Sequence, residues 1–280
     1  MISVVQLGTV DYATGLALQR QLVALRKEEK IGDVLLLLEH SPVITQGRNA
    51  KAANVVASPE FLKQRGVELF ECDRGGDVTF HGPGQVVGYP IFDLRGFAAA
   101  DGKRKTLGVI EFVRRLEDVL MRTCADLGIP TKRVPGLTGV WTENAHVETA
   151  ASAVPRRNTS GAVDAHTSEA KLAAIGVHIS RSVTSHGFAL NVNTDLSYFD
   201  LIVPCGITTK PVTSMHKELG RALDLNTVAE SISRNFGVVF QSQILWVDTL
   251  DALLARAVGV PMQTPAELRR LQGEDEIVSA

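Results

Sequence analysis

The chain has 280 residues, 45% of them hydrophobic, enough to bury a sizeable core in one large domain or two small ones. With 29 basic and 31 acidic residues the formal net charge is −2, which gives no support to a nucleic-acid or membrane-surface binder and points to a small-molecule or protein substrate. The three cysteines, Cys72, Cys124 and Cys205, are odd in number and show no CxxC pairing, so neither a disulfide framework nor a zinc knuckle is indicated and a reducing cytoplasm is expected.

The first residues, MISVVQLGTVDYATG, lack the basic start and long apolar stretch of a leader. Residues 2–6 read as a strand and 12–28 as an amphipathic helix carrying Leu16, Leu18, Leu22 and Leu25. A buried strand follows at Asp33 to Glu39; its run from Val34 to Leu38 is the longest apolar one and far below the roughly 18 residues that span a membrane. After EHSPVITQGR come a short helix at 58–65 and strands near 67–72, 77–80 and 85–93.

From Thr106 to Leu127 apolar residues recur at helical spacing, from Val109 and Phe112 through Leu116 and Leu120 to Cys124. That pattern makes Cys124 a core residue, and Cys72 in the strand pattern VELFECD reads the same way. Residues 142–170 are rich in Ala, Thr, Ser and Asn without an apolar period, as in a mobile surface insertion. Strands resume at 171–180 and 186–193. The last sixty residues look helical, with a capping box at Thr264, Pro265 and Glu267. Strands in clusters with helices between them favour a two-layer α+β domain, a mixed, largely antiparallel sheet flanked by helices. We expect a catalytic domain over 1–245 and a helical extension over 246–280.

The stretch RGGDVTFHGPGQVVGYP sets five glycines between Arg74 and Pro90. Two tight hairpins would account for them, and so would a ligand lying against bare backbone. It lacks the GxGxxG and GxxxxGK[ST] spacings of nucleotide loops. Cys205, in DLIVPCGITTKPV, taken alone reads as structural, yet Pro204 and Gly206 suit an exposed turn. A free cysteine is only a few per cent thiolate at neutral pH, so a nucleophilic role demands a nearby base. Lys171, opening KLAAIGVHI, is either a solvated strand end or that base. His81, His178 and His186 show no tight metal-binding spacing, so no metal is expected. The basic cluster Lys103 to Lys105 is a solvated face or a lure for an acidic partner.

Together, EHSPVITQGR, RGGDVTFHGPGQVVGYPIFDLR, PGLTGVW, KLAAIGVHISRSVTSHGFALNVNTDLSYFDLIVPCGI and VTSM resemble the LipB octanoyltransferase family of lipoate biosynthesis over roughly residues 30–216. The resemblance implies the fold of the biotin and lipoate protein ligases. It implies transfer of an octanoyl group from acyl carrier protein to a lysine of lipoyl domains of 2-oxoacid dehydrogenase E2 subunits or of the glycine-cleavage H protein, without a cofactor. Cys205 is then the nucleophile that carries the acyl group as a thioester, and Lys171 the acid/base. The implied substrate-binding residues are Arg74, Gly75, Gly76, Asp77, Val78, Thr79, Phe80 and His81, then Ala174, Ile175 and Gly176, then Gly187, Phe188 and Ala189. Backbone amides near Gly176 or Gly206 are candidate oxyanion donors. An ATP-dependent ligase on the same fold and a noncatalytic binder of acyl carrier protein or lipoyl domains are the competing readings. The chain departs from the family pattern in its insertion, in His178 where arginine is common and in Ser41 where proline is common.

Overall fold

A computed structural model describes residues 1–99, 106–143 and 169–255. The expected Lys103–Lys105 cluster, most of the insertion and the helix starting at Thr264 lie outside these residues. The chain opens with β1 (Ile2–Val10) and α1 (Tyr12–Lys27), the helix capped by Asp11, whose carboxylate accepts from the Thr14 amide at 2.8 Å. β2 (Asp33–His40), β3 (Val43–Gln46), α2 (Pro59–Gln64) and β4 (Glu68–Glu71) follow, then β5 (Val78–His81) and β6 (Gln85–Ile91). α3 (Val109–Asp126) leads to β7 (Thr131–Val134) and β8 (Leu137–Thr142). Next are β9 (Lys171–Ser180), β10 (Val183–Asn191), α4 (Met215–Leu219), α5 (Leu225–Phe240), β11 (Ile244–Trp246) and α6 (Leu250–Ala255).

Eight strands form one sheet in the order β11-β1-β2-β6-β10-β9-β8-β7. Only the β11–β1 and β1–β2 pairs are parallel; the rest are antiparallel, as expected. β2 shows why the sheet needs cover on both faces. Its Leu35 and Leu37 pack with α3 and α5 through Phe112, Leu116 and Phe236, whereas Val34, Leu36 and Leu38 pack with α1 and α6 through Leu18, Leu22 and Leu250. Side chains alternate across a strand, so a continuous apolar run must be buried twice.

A second sheet, β4-β3-β5, has a separate core that includes Ile44, Val78, Phe80 and Phe199. β5 and β6 therefore belong to different sheets, and Gly82, Pro83 and Gly84 carry the chain between them. Neither hairpin considered for the glycine-rich stretch forms. A Cβ at Gly84, whose φ is +80°, would meet the Asn193 backbone at 2.7 Å, so the crossover requires glycine there.

Four strands were not anticipated. β3, β7, β8 and β11 are three to six residues long, and β3, β7 and β8 are interleaved with polar side chains. β11 interrupts the stretch expected to be wholly helical and pairs with β1 at Ile2, Ser3 and Val4. At the base of the insertion the Thr142 amide donates to Ala170 O at 2.9 Å, so both ends of the segment leave one point of the sheet.

Candidate active site

Lys171 begins β9 and Cys205 lies on a turn over Pro204–Gly206; the lysine Nζ donates to the cysteine Sγ at 3.3 Å. The lysine is fixed by its backbone: its N–H donates to Pro211 O at 2.8 Å and its carbonyl accepts from Thr213 N at 3.0 Å. The side chain is 7% exposed, and its Nζ sits 4.9 Å from the Trp141 ring centroid, a cation–π contact. A Cβ at Gly139, φ +122°, would meet Ala173 O at 2.4 Å, so glycine keeps β8 close to the lysine strand.

Cys205 has φ 57° and ψ 18°, the left-handed region that a residue with a side chain rarely adopts. The turn is tied down just ahead of the cysteine. Val203 N donates to Asn54 O at 2.7 Å, and Asn54 Nδ2 donates to Asp77 Oδ2 at 2.6 Å. Asp77 also accepts from the Val78 amide at 2.7 Å, which links the glycine-rich stretch to the turn that carries Cys205. The Gly206 amide, one of the two candidate oxyanion donors, is engaged at 3.0 Å with Val203 O. Serving an oxyanion would require breaking that bond.

Cys205 and Lys171 face a cavity of about 230 Å³. Arg74, Gly75, Gly76, Asp77, Thr79 and His81 line it from one side, Ala174, Ile175 and Gly176 from β9, and Gly187, Phe188 and Ala189 from β10. Val78 and Phe80 do not. They alternate with Thr79 and His81 on β5, so their side chains leave the cavity for the core of the small sheet. The register sets Gly187 opposite Gly176 and Ala189 opposite Ala174, which leaves small side chains along the cavity wall.

Arg74 is 8% exposed and holds the glycine-rich stretch in place. Its guanidinium donates to Thr45 O at 2.6 Å, to Thr45 Oγ1 at 2.9 Å and to Gly75 O at 3.1 Å. A Cβ at Gly176 would meet Gly75 O at 2.7 Å, so the loop lies directly on β9.

The far end of the cavity was not read from sequence: Tyr12, Val87 and Tyr89 line it together with His186. His40 stands behind them, its Nδ1 donating to Val10 O at 2.7 Å and its Nε2 lying 2.6 Å from Tyr89 Oη. Burial lowers the His40 imidazole to about 4, and burial together with the nearby His40 lowers His81 to about 3. Burial raises both tyrosine hydroxyls. All four groups are uncharged at neutral pH, so this end of the cavity suits an apolar chain. His81 Nδ1 donates to Gln85 Oε1 at 2.8 Å; Gln85 Nε2 donates to Asn191 Oδ1 at 2.8 Å, and Asn191 Nδ2 to Thr213 O at 2.9 Å. That chain of bonds ends on the segment that anchors Lys171. His186 Nε2 donates to Asp73 Oδ1 at 2.7 Å, and His178 contacts Arg48. No cluster of metal-ligating side chains occurs among the described residues, and no helix among them is long and apolar enough to cross a membrane.

A family model described as the lipoyl protein ligase A/B catalytic domain matches residues 11–237. An octanoyltransferase of Koribacter versatilis is 59% identical over 275 residues, 98% of each chain, and one of Acidobacterium capsulatum is 54% identical over 256 residues, 91% of this chain and 96% of the relative. Among solved structures, a bi-partite lipoate protein ligase of Thermoplasma acidophilum, from a study that includes its E2 lipoyl domain, superposes with a TM-score of 0.62 at 12% identity, over 92% of this chain and 91% of that one. At that identity the likeness shows the fold. The chain belongs to the lipoyl protein ligase A/B catalytic-domain family, within it to the octanoyltransferases, and is an acyltransferase.

Proposed function

We propose that the protein moves an octanoyl group from acyl carrier protein to a lysine of a lipoyl domain of a 2-oxoacid dehydrogenase E2 subunit, or of the glycine-cleavage H protein, by way of a thioester on Cys205. The observation that carries this reading is the 3.3 Å contact between Lys171 Nζ and Cys205 Sγ beside the cavity. The names of the relatives supply the acyl group.

In the first half-reaction the thiol proton passes to the Lys171 amine, and the thiolate attacks the carbonyl of the carrier thioester. The carbon–sulfur bond to the carrier breaks, and the Lys171 ammonium returns the proton to the departing sulfur. In the second, the acceptor lysine loses one proton to solvent, its free amine attacks the Cys205 thioester, and the proton that the amine sheds as the amide forms passes to Lys171. The bond to Sγ breaks, the amide forms, and Lys171 reprotonates the thiolate. Both steps start from a thioester, so no nucleotide is consumed. Arg74, the glycines beside it and the small residues of β9 and β10 hold the acyl chain. Three unpaired cysteines fit a cytoplasmic setting.

Intact-mass measurement after incubation with octanoyl-acyl carrier protein tests the reading. One octanoyl group is expected on the wild type without ATP, discharged on adding a lipoyl domain, and none on Cys205→Ala. A requirement for ATP would favour the ligase reading, and binding without an adduct would favour a noncatalytic role.

A further inference from the structure

Behind the acyl cavity lies a second cleft, of about 370 Å³, between α1 and the end of the β9–β10 pair. Leu16, Val23 and Ala24 of α1 give it an apolar strip, Arg20 and Lys27 flank that strip on the same helix, and Asp73 lies among the residues opposite. His186 is the only described residue that lines both spaces.

Three features fix His186 there. Its φ of 54° is left-handed within a strand, which takes the residue out of the alternation followed by Gly187, Phe188 and Ala189. Its N–H donates to Gln19 Oε1 at 2.7 Å, and its Nε2 donates to Asp73 Oδ1 at 2.7 Å. The ring stands edge-on to Tyr89, 6.4 Å between centroids, and is 3% exposed. Non-glycine residues adopt such a φ uncommonly, and the cost is borne where surrounding contacts over-determine the geometry.

His186 pairs with Val177, six residues along β9 from Lys171, or about 20 Å at about 3.4 Å per residue. An eight-carbon acyl chain, with bonds of about 1.5 Å, extends roughly 9 Å. The span is an upper bound on the chain the cavity can take, since the thioester at Cys205 and the groups around it occupy its near end. We propose that His186 is the stop that sets acyl-chain length: the imidazole, held by Asp73, closes the cavity, and removing it joins the cavity to the second cleft so that the ω end of a longer chain can enter. This inference rests on the acyl-transfer reading above.

The test compares initial rates of Cys205 loading from octanoyl- and dodecanoyl-acyl carrier protein, read by intact mass. Glycine suits the left-handed backbone, so His186→Gly removes the ring without adding strain. His186→Gly is expected to raise the dodecanoyl-to-octanoyl rate ratio about tenfold or more, the scale on which a few methylenes are discriminated. Refilling the cleft with Val23→Phe in that background is expected to bring the ratio back toward wild type, which a loosened fold would not do. Asp73→Ala, at a carboxylate 60% exposed, leaves the strand intact while freeing the ring, and is expected to shift the ratio in the same direction if His186→Gly does not fold. An unchanged ratio in folded His186→Gly, or in Asp73→Ala where that variant alone folds, overturns the length stop while leaving acyl transfer standing. Wild-type protein that gains no octanoyl adduct overturns both.

Discussion

Lys171 and Cys205 are 34 residues apart in sequence, yet a single hydrogen bond of 3.3 Å joins their side chains across the gap between the start of an interior strand and an irregular turn. The contact depends on two anchors that carry no chemistry: the 211–213 backbone clamps the lysine, and Asn54 holds the turn before the cysteine. If the pair works as one proton-sharing unit, removing either member costs about as much as removing both. Lys171→Met is expected to slow single-turnover loading of Cys205 by about 10²- to 10⁴-fold, with Cys205→Ala forming no adduct. Loading of Lys171→Met at the wild-type rate would show that the cysteine needs no proton acceptor from that side chain.

The packing of the cavity wall gives a stability test. A Cβ at Gly187 would stand 2.1 Å from Gly88 O and 2.6 Å from Pro90 Cδ, so an added methyl must force β10 away from β6. Gly187→Ala is expected to cost about 1–3 kcal/mol. Calorimetry should show a melting temperature lower by several degrees. At Gly75 the nearest obstacle is Val177 O at 3.3 Å, and Gly75→Ala is expected to lose far less. Equal losses would show that the β6–β10 approach is more compliant than its geometry suggests.

Much of this architecture was legible in the sequence, and the reasons for the misses are physical. β1, α1, β2, α3, β9 and β10 carry apolar residues at unambiguous periods, so each was found within a few residues. β3 (VITQ) and β7 (TKRV) are too short to show a period and mix polar with apolar side chains. Val78 and Phe80 share the glycine-rich stretch with the residues that line the cavity, and strand alternation turns their side chains toward the core of the small sheet. Tyr12 and Tyr89 reach the same cavity, with His40 against both, only because α1 packs over the sheet, an arrangement that no local pattern announces. The register of Gly187 on Gly176 likewise belongs to the pairing of β9 with β10.

The three thiols should react in an order set by burial and by what each sulfur touches. Cys124 is fully buried, and burial pushes its thiol up to about 12, so it should stay unmodified until the protein unfolds. Cys72 is partly buried, with its Sγ 3.4 Å from Gln46 O. Cys205 is no more buried than Cys72 and has Lys171 Nζ at 3.3 Å from its sulfur, so it is expected to be alkylated first by iodoacetamide, and prior octanoyl loading should protect one equivalent. Peptide mapping reads the result, and first modification at Cys72 would contradict the assignment.

The buried histidines tie stability to pH. His40 and His81 are lowered by burial to about 4 and about 3 from an ordinary value of 6.5, so the folded state binds their protons more weakly than the unfolded chain does. Stability is then full above about 6.5 and falls as the pH drops toward 4, because the unfolded state gains protons that the native cavity excludes. Several kcal/mol are at stake across that window, shared between two imidazoles 5.9 Å apart that resist charging together. Melting temperatures at pH 7.5, 5.5 and 4.5 should decline progressively, and His81→Asn should flatten the slope without reversing it. A melting temperature flat from pH 7.5 to 4.5 would mean that these imidazoles reach solvent before global unfolding, through an opening of the cavity's far end.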